Sequence, residues 1–175
     1  DNKQEIFLQA FDPVRKSLWK FCLSLAGRHE DAKDLLQDTI EIAYSSFGQL
    51  RNRDAFLSWV FSIASRRNLK LAGERKKTIP TDPQDFSYLM ASDTSPDRKF
   101  EIEELHRALN EISPDAKESI VLQEVFGFSQ KEICEIQGIS IQALKQRLHR
   151  AKISLRSILE ARAKSTNQSI EQKAG

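Results

Sequence analysis

The 175-residue chain carries 27 Lys and Arg against 25 Asp and Glu, a net charge of +2, with 39% hydrophobic and 30% charged residues. This composition excludes a disordered or fibrous chain and leaves room for one ordinary domain or two small ones. No apolar run approaches the roughly 18–20 residues of a membrane span, and no basic segment followed by an apolar stretch marks a secretion signal, so a cytoplasmic address without direct membrane insertion is expected. The first residue is Asp1 rather than Met, as expected of a trimmed chain. Cys22 and Cys134 lie far apart on apolar helix faces and read as small, reduced core residues rather than a disulfide framework. His29, His106 and His149 have no Cys or His neighbours at ligand spacing, so neither a metal nor a cofactor is expected.

Apolar residues recur at helical spacing in two blocks, and nothing alternates at period two for long, so the fold class is all-α. In the first block, Asp12-Pro13 has the pattern of an N-cap followed by Pro at the first helical position. Val14, Leu18, Phe21 and Leu25 then form an apolar stripe, and Gly27 marks the C-terminal stop. A second helix begins near Glu30 and places Leu36, Ile40, Ala43 and Phe47 on its inner face. After the polar turn LRNRD, a third helix carries Phe56, Val60, Ile63 and Ala64 and runs into Arg66, Arg67, Lys70, Arg75, Lys76 and Lys77.

Three of the five prolines, Pro80, Pro83 and Pro96, fall in the stretch from Ile79 to Asp97, which is rich in Asp and Ser and has no sustained period; residues 78–97 read as a flexible linker. Twenty such residues span about 25 Å as a coil and at most about 66 Å extended. Phe86, Tyr88, Leu89 and Met90 form an apolar cluster within it, suited to packing on either block or on a partner.

The second block opens near Arg98 with a helix whose stripe is Ile102, Leu105, Leu109 and Ile112. Ser113-Pro114-Asp115 caps the next helix, which runs through Ile120 and Leu122 toward Gly127. Ser129 followed by Glu132 is a capping box, and Phe128 and Ile133 stand at the positions of a hydrophobic staple. Gly138 stops this helix early, and Ser140 caps another with Ile141, Leu144 and Leu148 facing inward. Two short helices around a Gly-containing turn form a helix-turn-helix, with Cys134 as the small residue the close approach requires. From Ser140 to Lys164 there are seven basic residues against Glu160, a net +6, and a helix so one-sided suits a polyanion such as DNA better than plain solvation.

On the second helix of the first block, Asp34, Gln37, Asp38 and Glu41 share one face, either simply solvated or suited to a basic protein partner. The loop before Trp59 offers Arg51, Asn52 and Arg53, groups able to hold an unstacked base beside an aromatic, although spacing alone does not establish this. Trp59 itself reads as core.

The segments HEDAKDLLQDTIEIAYSSF and FLSWVFSIASRR resemble the core-binding, −10-reading domain of extracytoplasmic-function (ECF) sigma factors of the sigma-70 family. The stretch from Leu105 to Arg156 resembles their −35-reading domain. The resemblance spans about residues 4–160. It implies a sigma2-like helical bundle over residues 1–77, a linker over 78–97, a sigma4-like helix-turn-helix domain over 98–164 and a polar tail over 165–175. It further implies that Asp34, Gln37, Asp38 and Glu41 dock on the clamp helices of the RNA polymerase core, whose flap takes the second domain. Arg51, Asn52 and Arg53 with Arg66, Arg67 and Lys70 would read the −10 element. Gln142, Ala143, Lys145, Gln146, Arg147, His149, Arg150 and Lys152 would serve the −35 element; if Arg147 reads a base and Lys152 only a phosphate, Arg147→Ala relaxes specificity and Lys152→Ala weakens all sites evenly.

The chain departs from the family pattern where Arg66 replaces a frequent Asn, Lys70 a frequent Asp, and Gln142-Ala143 a frequent Gly-Thr. An amide at 142 suits adenine, and promoter sequence does not transfer.

The expected function is therefore promoter-directed transcription initiation by polymerase, without covalent chemistry and under an anti-sigma factor. The free chain is able to fold its domains together into an inactive form. The alternative is a two-domain helix-turn-helix regulator that binds duplex DNA without polymerase. An enzyme is not expected, because no nucleophile–base pair, glycine-rich phosphate loop or metal spacing occurs.

Overall fold

A computed structural model describes residues 2–74 and 85–174, without the side chains of 171, 173 and 174. Arg75, Lys76, Lys77 and the first part of the expected linker, with Pro80 and Pro83, lie outside the described residues. Among the described residues the regular structure is helical throughout. The α-helices in order are α1 (Asn2–Phe11), α2 (Arg15–Ala26), α3 (His29–Ser46), α4 (Phe56–Glu74), α5 (Pro96–Leu109), α6 (Pro114–Ile120), α7 (Gln130–Gln137) and α8 (Ile141–Ala174).

Helix α1 is absent from the pattern reading, because its ten residues bury only Phe7 and Phe11 and so show too little period. Phe7 nevertheless centres an aromatic cluster, with ring centroids 5.3 Å from Tyr44, 5.2 Å from Phe47 and 6.0 Å from Phe56. The N-cap expected at Asp12 is not formed. Helix α2 starts at Arg15 after Val14, with no side-chain cap, and the Asp12 carboxylate accepts from the Arg15 guanidinium at 2.6 Å. Pro13 lies in the turn between two helices rather than opening one. The stop at Gly27 holds, with φ at 73° in the left-handed region.

On α3 the buried residues are Ala32, Leu35, Thr39 and Ala43, while Leu36 and Ile40 are only half-buried. The inner face is thus rotated by about one residue from the stripe expected, because α3 packs against both α2 and α4. Thr39 is tolerated there because its hydroxyl donates to the Leu35 carbonyl at 2.7 Å. Helix α4 buries Phe56, Val60, Ile63 and Ala64 as expected, and also Phe61, Ser62 and Ser65. It is buried on two sides because α2 and α3 pack on one and α7 on the other.

In the second block Ser113 caps α6, accepting from the Ala116 amide at 3.3 Å. Helix α5 ends at Leu109, one turn short of Ile112. A π-helical turn, Val121–Val125, follows α6, and Gly127 turns the chain with φ of 70°.

The two blocks share one continuous core. Phe21 and Phe61 stack at 4.4 Å, Phe126 meets them edge-on at 5.8 and 5.1 Å, and Phe128 meets Phe61 at 5.1 Å. Phe128, expected as a local staple, is therefore also an inter-block contact. Residues 85–95 are held against both blocks: the Asp85 amide donates to the Gly27 carbonyl at 2.9 Å, and Tyr88 is 1% exposed, packing on α2 with its hydroxyl 3.0 Å from His106 Nδ1.

A charged group is enclosed at this junction. The Ser65 hydroxyl donates to Glu118 Oε1 at 2.6 Å. Burial pushes the Glu118 carboxyl up to about 6 from its ordinary 4.5, with the Ser65 bond opposing the rise. The folded state holds this proton more tightly than the unfolded chain does. Its stabilisation is thus complete below the unfolded value and is lost as pH rises through about 6. Glu118→Gln keeps an acceptor for Ser65 and removes the charge. Thermal melts are expected to show the variant more stable than the parent at pH 7.5, by up to about 2 kcal/mol, with the gap closing toward pH 5. Parallel stability profiles across that range would reject the burial account.

Candidate nucleic-acid interface

The site is built on the α7–α8 turn. Ser129 Oγ accepts from the Glu132 amide at 3.2 Å and Glu132 Oε2 accepts from the Ser129 amide at 2.8 Å, the reciprocal box read from the sequence. Gly138 ends α7 with φ of 65°, and its amide donates to the Cys134 carbonyl. A Cβ added there meets nothing within 4 Å, so backbone conformation rather than space demands the glycine. Ser140 Oγ accepts from the Ala143 amide at 3.2 Å and starts α8.

Leu144, Leu148 and Ala151 of α8 are buried in the same core as Ile133 and Ile136 of α7, and α8 packs on both α6 and α7. Ile141, expected inside, is 37% exposed because it precedes the point where α8 meets α7. The opposite side of α8 exposes Gln142, Ala143, Lys145, Gln146, His149, Arg150 and Lys152. These predicted residues come together on one accessible helix surface.

Arg147 differs from them. Its side chain is 24% exposed and its Nη2 stands 3.9 Å from Asp115 Oδ2, while its Nη1 donates to Gln137 Oε1 at 3.3 Å. Lys152 donates to Glu124 at 3.0 Å, and Arg162 pairs with Glu104 at 3.4 Å and with Glu111. Three of the seven basic residues thus face acids from other elements, a pairing that no spacing within α8 reveals. Lys145 and Arg150 carry no ion pair among the described residues.

A second basic surface lies on the last turns of α4, where Arg66 and Lys70 are exposed. Arg67 is turned aside, its Nε donating to Asp38 Oδ2 at 2.6 Å. The Asp38–Arg67 pair joins the acidic face of α3 to the basic end of α4, so these two residues constrain each other. Asp34, Gln37 and Glu41 remain exposed, with Gln37 donating to Glu41 at 3.1 Å. In the connecting loop, Asn52 Oδ1 accepts from the Asp54 amide at 3.0 Å and the Arg53 guanidinium lies 4.1 Å from the Phe47 ring centroid. Arg51 is exposed, and Trp59 is half-buried against the core beside Phe56 at 5.8 Å.

Among the described residues no group of three or more His, Cys, Asp or Glu is placed to hold a metal ion. Among them, too, no helix is long and apolar enough to cross a membrane.

The family model for sigma-70 region 2 matches residues 10–78, and that for sigma-70 region 4 matches residues 102–155. The chain is similar to the ECF RNA polymerase sigma factor EcfG of Rhodopseudomonas palustris, 30% identical over 145 residues, covering 82% of this chain and 79% of EcfG. It is also similar to the RNA polymerase sigma factor SigV of Bacillus subtilis, 28% identical over 151 residues, covering 86% of this chain and 82% of SigV. Among solved structures, the sigma factor RpoE in complex with the anti-sigma factor NepR from Bartonella quintana superimposes with a TM-score of 0.72 at 25% identity, covering 89% of this chain and 98% of RpoE. Two sigma-70 regions in the expected order, 30% identity to EcfG over 79% of its length and a helical fold shared with a solved sigma factor place the chain in the ECF RNA polymerase sigma factor family.

Proposed function

We propose that this chain attaches to RNA polymerase core and directs it to promoters whose −10 and −35 elements its two basic helix surfaces read. The observation that carries this reading is the exposed surface of α8, with Gln142, Lys145, Gln146, His149 and Arg150 beside a capped helix-turn-helix. Such a helix enters a major groove with its N-terminal residues on base edges. Arg66 and Lys70 of α4, with Arg51, Asn52 and Arg53 of the preceding loop, serve the −10 element. Preferential binding of unstacked single-stranded DNA lowers the cost of opening the duplex. Asp34, Gln37 and Glu41 of α3 face the polymerase, with Asp38 bound to Arg67 behind them. The role is non-enzymatic and cytoplasmic.

The domains divide at the linker, residues 1–77 and 98–164, with 165–175 as a polar tail. The aromatic contact between α4 and the second block holds both DNA-reading surfaces on one compact body, a free form distinct from the polymerase-bound one. An anti-sigma factor that binds the compact form favours it further. The solved RpoE–NepR complex, a sigma factor with its anti-sigma partner, supports that assignment.

Run-off transcription with bacterial core polymerase, on promoters selected from a random library, tests the reading. Promoter-specific initiation that depends on the chain is expected. Sequence-specific binding to duplex DNA without polymerase, and no initiation on any selected sequence, would establish the regulator alternative. The salt dependence of promoter binding separates the lysines. Lys145→Ala is expected to lower the slope of log affinity against log salt by about one, whereas Lys152→Ala lowers it less, because Glu124 already neutralises Lys152. Equal slopes for the two variants would contradict that assignment of charge.

A further inference from the structure

Arg147 lies in the middle of α8, yet it does not belong to the helix's outer face. It is three residues from Leu144 and four from Ala151, both buried, which places it beside the inner stripe of a 3.6-residue helix. Its guanidinium reaches Gln137, the last residue of α7, at 3.3 Å. It also stands 3.9 Å from Asp115 of α6, an ion pair too long for a hydrogen bond. Gln137 is held in turn: its Oε1 accepts from the Ser119 hydroxyl at 2.6 Å, and its Nε2 donates to the Asp115 carbonyl at 3.3 Å. One amide side chain therefore ties together α6, the end of α7 and the centre of α8, directly beside the Gly138 turn. Its oxygen serves two donors at once, so the three side chains fix one another's rotamers.

We infer that Arg147 is a positioning residue which, clamped by Gln137 and Asp115, fixes how far the recognition helix is turned about its axis, leaving base reading to Gln142, Gln146, His149 and Arg150. The inference rests on the DNA-reading role proposed for α8. A base-reading arginine needs its planar fork directed away from the protein toward the groove. Here the fork faces a neutral amide oxygen and a carboxylate within the same domain. Rotation of α8 by a fraction of a residue moves every exposed side chain relative to the DNA at once. Loss of the clamp is therefore felt equally at every promoter sequence, not at one base pair.

The test uses the full chain assembled with core polymerase, measuring affinity for a promoter fragment and selecting sites from a library randomised across the −35 element. The variants are Arg147→Ala, Gln137→Ala, the double variant, Arg147→Lys and Gln146→Ala, all assayed well below their measured melting temperatures. Each of the first two is expected to weaken binding about 3–10-fold on all sequences, with the selected consensus unchanged. The double variant is expected to bind no more weakly than Arg147→Ala alone, since both remove the same clamp. Arg147→Lys, which still reaches one partner, recovers part of the loss. Gln146→Ala, by contrast, relaxes preference at one position. The inference is overturned if Arg147→Ala alone flattens a single base position, if the double loss equals the product of the single losses, or if either single variant lowers only the melting temperature. If Gln146→Ala and every other variant bind all sequences as the parent does, the DNA-reading role of α8 itself fails and the inference falls with it.

Discussion

Helix α4 is buried on two sides, and the arrangement of the whole molecule follows from that constraint. Its Phe56 and Val60 complete the core made by α1, α2 and α3, while Phe61 and Ser65 meet the second block through Phe126, Phe128 and Glu118. The same helix carries the exposed Arg66 and Lys70 before it ends at Glu74. Packing and the exposed basic surface are therefore continuous along one helix. A buried Phe is stabilised by about 2 kcal/mol relative to an exposed one, so separating the blocks exposes several kcal/mol of aromatic surface. It also returns the Glu118 carboxylate to water, which offsets part of that cost. A partner that pulls the blocks apart must bind the opened form more tightly by at least the difference.

The chain between the blocks adds a polar anchor to this aromatic contact. Lys117 donates to Asn110 Oδ1 at 2.8 Å, which leaves the Asn110 amide nitrogen 3.0 Å from His106 Nε2. Since that nitrogen can only donate, Nε2 accepts and the ring proton sits on Nδ1, pointing at the Tyr88 hydroxyl 3.0 Å away. The chain of bonds thus assigns the tautomer, and it requires a neutral imidazole. Burial, with the positive charge of Lys117 adding to it, pushes His106 down to about 4, and burial lowers Lys117 to about 8. Because the folded value of His106 is below the unfolded one, the network is intact above pH 6.5 and is lost only as pH falls toward 4. At neutral pH the anchor on Tyr88 therefore holds. Proton uptake by His106 would set two donors against each other at Nε2.

Local chemistry was legible in the sequence, and contacts between distant segments were not. The Ser129–Glu132 box, the Ser113 and Ser140 caps and the left-handed Gly27 and Gly138 depend on residues within four positions of each other, so pattern and structure agree there. The start of α2 is placed too early because Asp12-Pro13 imitates a helix start, whereas the helix begins at Arg15 after Val14 with no side-chain cap. On α3 the two neighbouring helices select Leu35 and Thr39 for burial over Leu36 and Ile40, a choice that periodicity alone leaves undecided by one position. Likewise, nothing near Arg147 in the sequence points to Gln137 or Asp115, or near Arg67 to Asp38. Gln142, Lys145, Gln146, His149 and Arg150, which the resemblance assigns to the −35 element, are exposed because they lie off the inner stripe of Leu144, Leu148 and Ala151. The part-buried members differ because their partners come from other elements.

The charge of α8 shows why this distinction matters for recognition. A uniform +6 along a helix would bind phosphates all along its length and favour no particular register. The acids of neighbouring elements divide that charge instead: Asp115 lies near Arg147, Glu124 pairs with Lys152, and Glu104 and Glu111 hold Arg162. The last of these contacts also fastens the far part of α8 to α5, where the helix runs on to Ala174, beyond the matched sigma-70 region that ends at residue 155. Lys145 and Arg150 remain unpaired among the described residues beside Gln142, Gln146 and His149. These two cations stand among amide and imidazole side chains, the groups able to distinguish bases. The acids of neighbouring elements thus thin the charge of α8 without confining it, for Lys145, Arg150, Arg156 and Lys164 carry no ion pair among the described residues, and of these only Lys145 and Arg150 stand beside Gln142, Gln146 and His149.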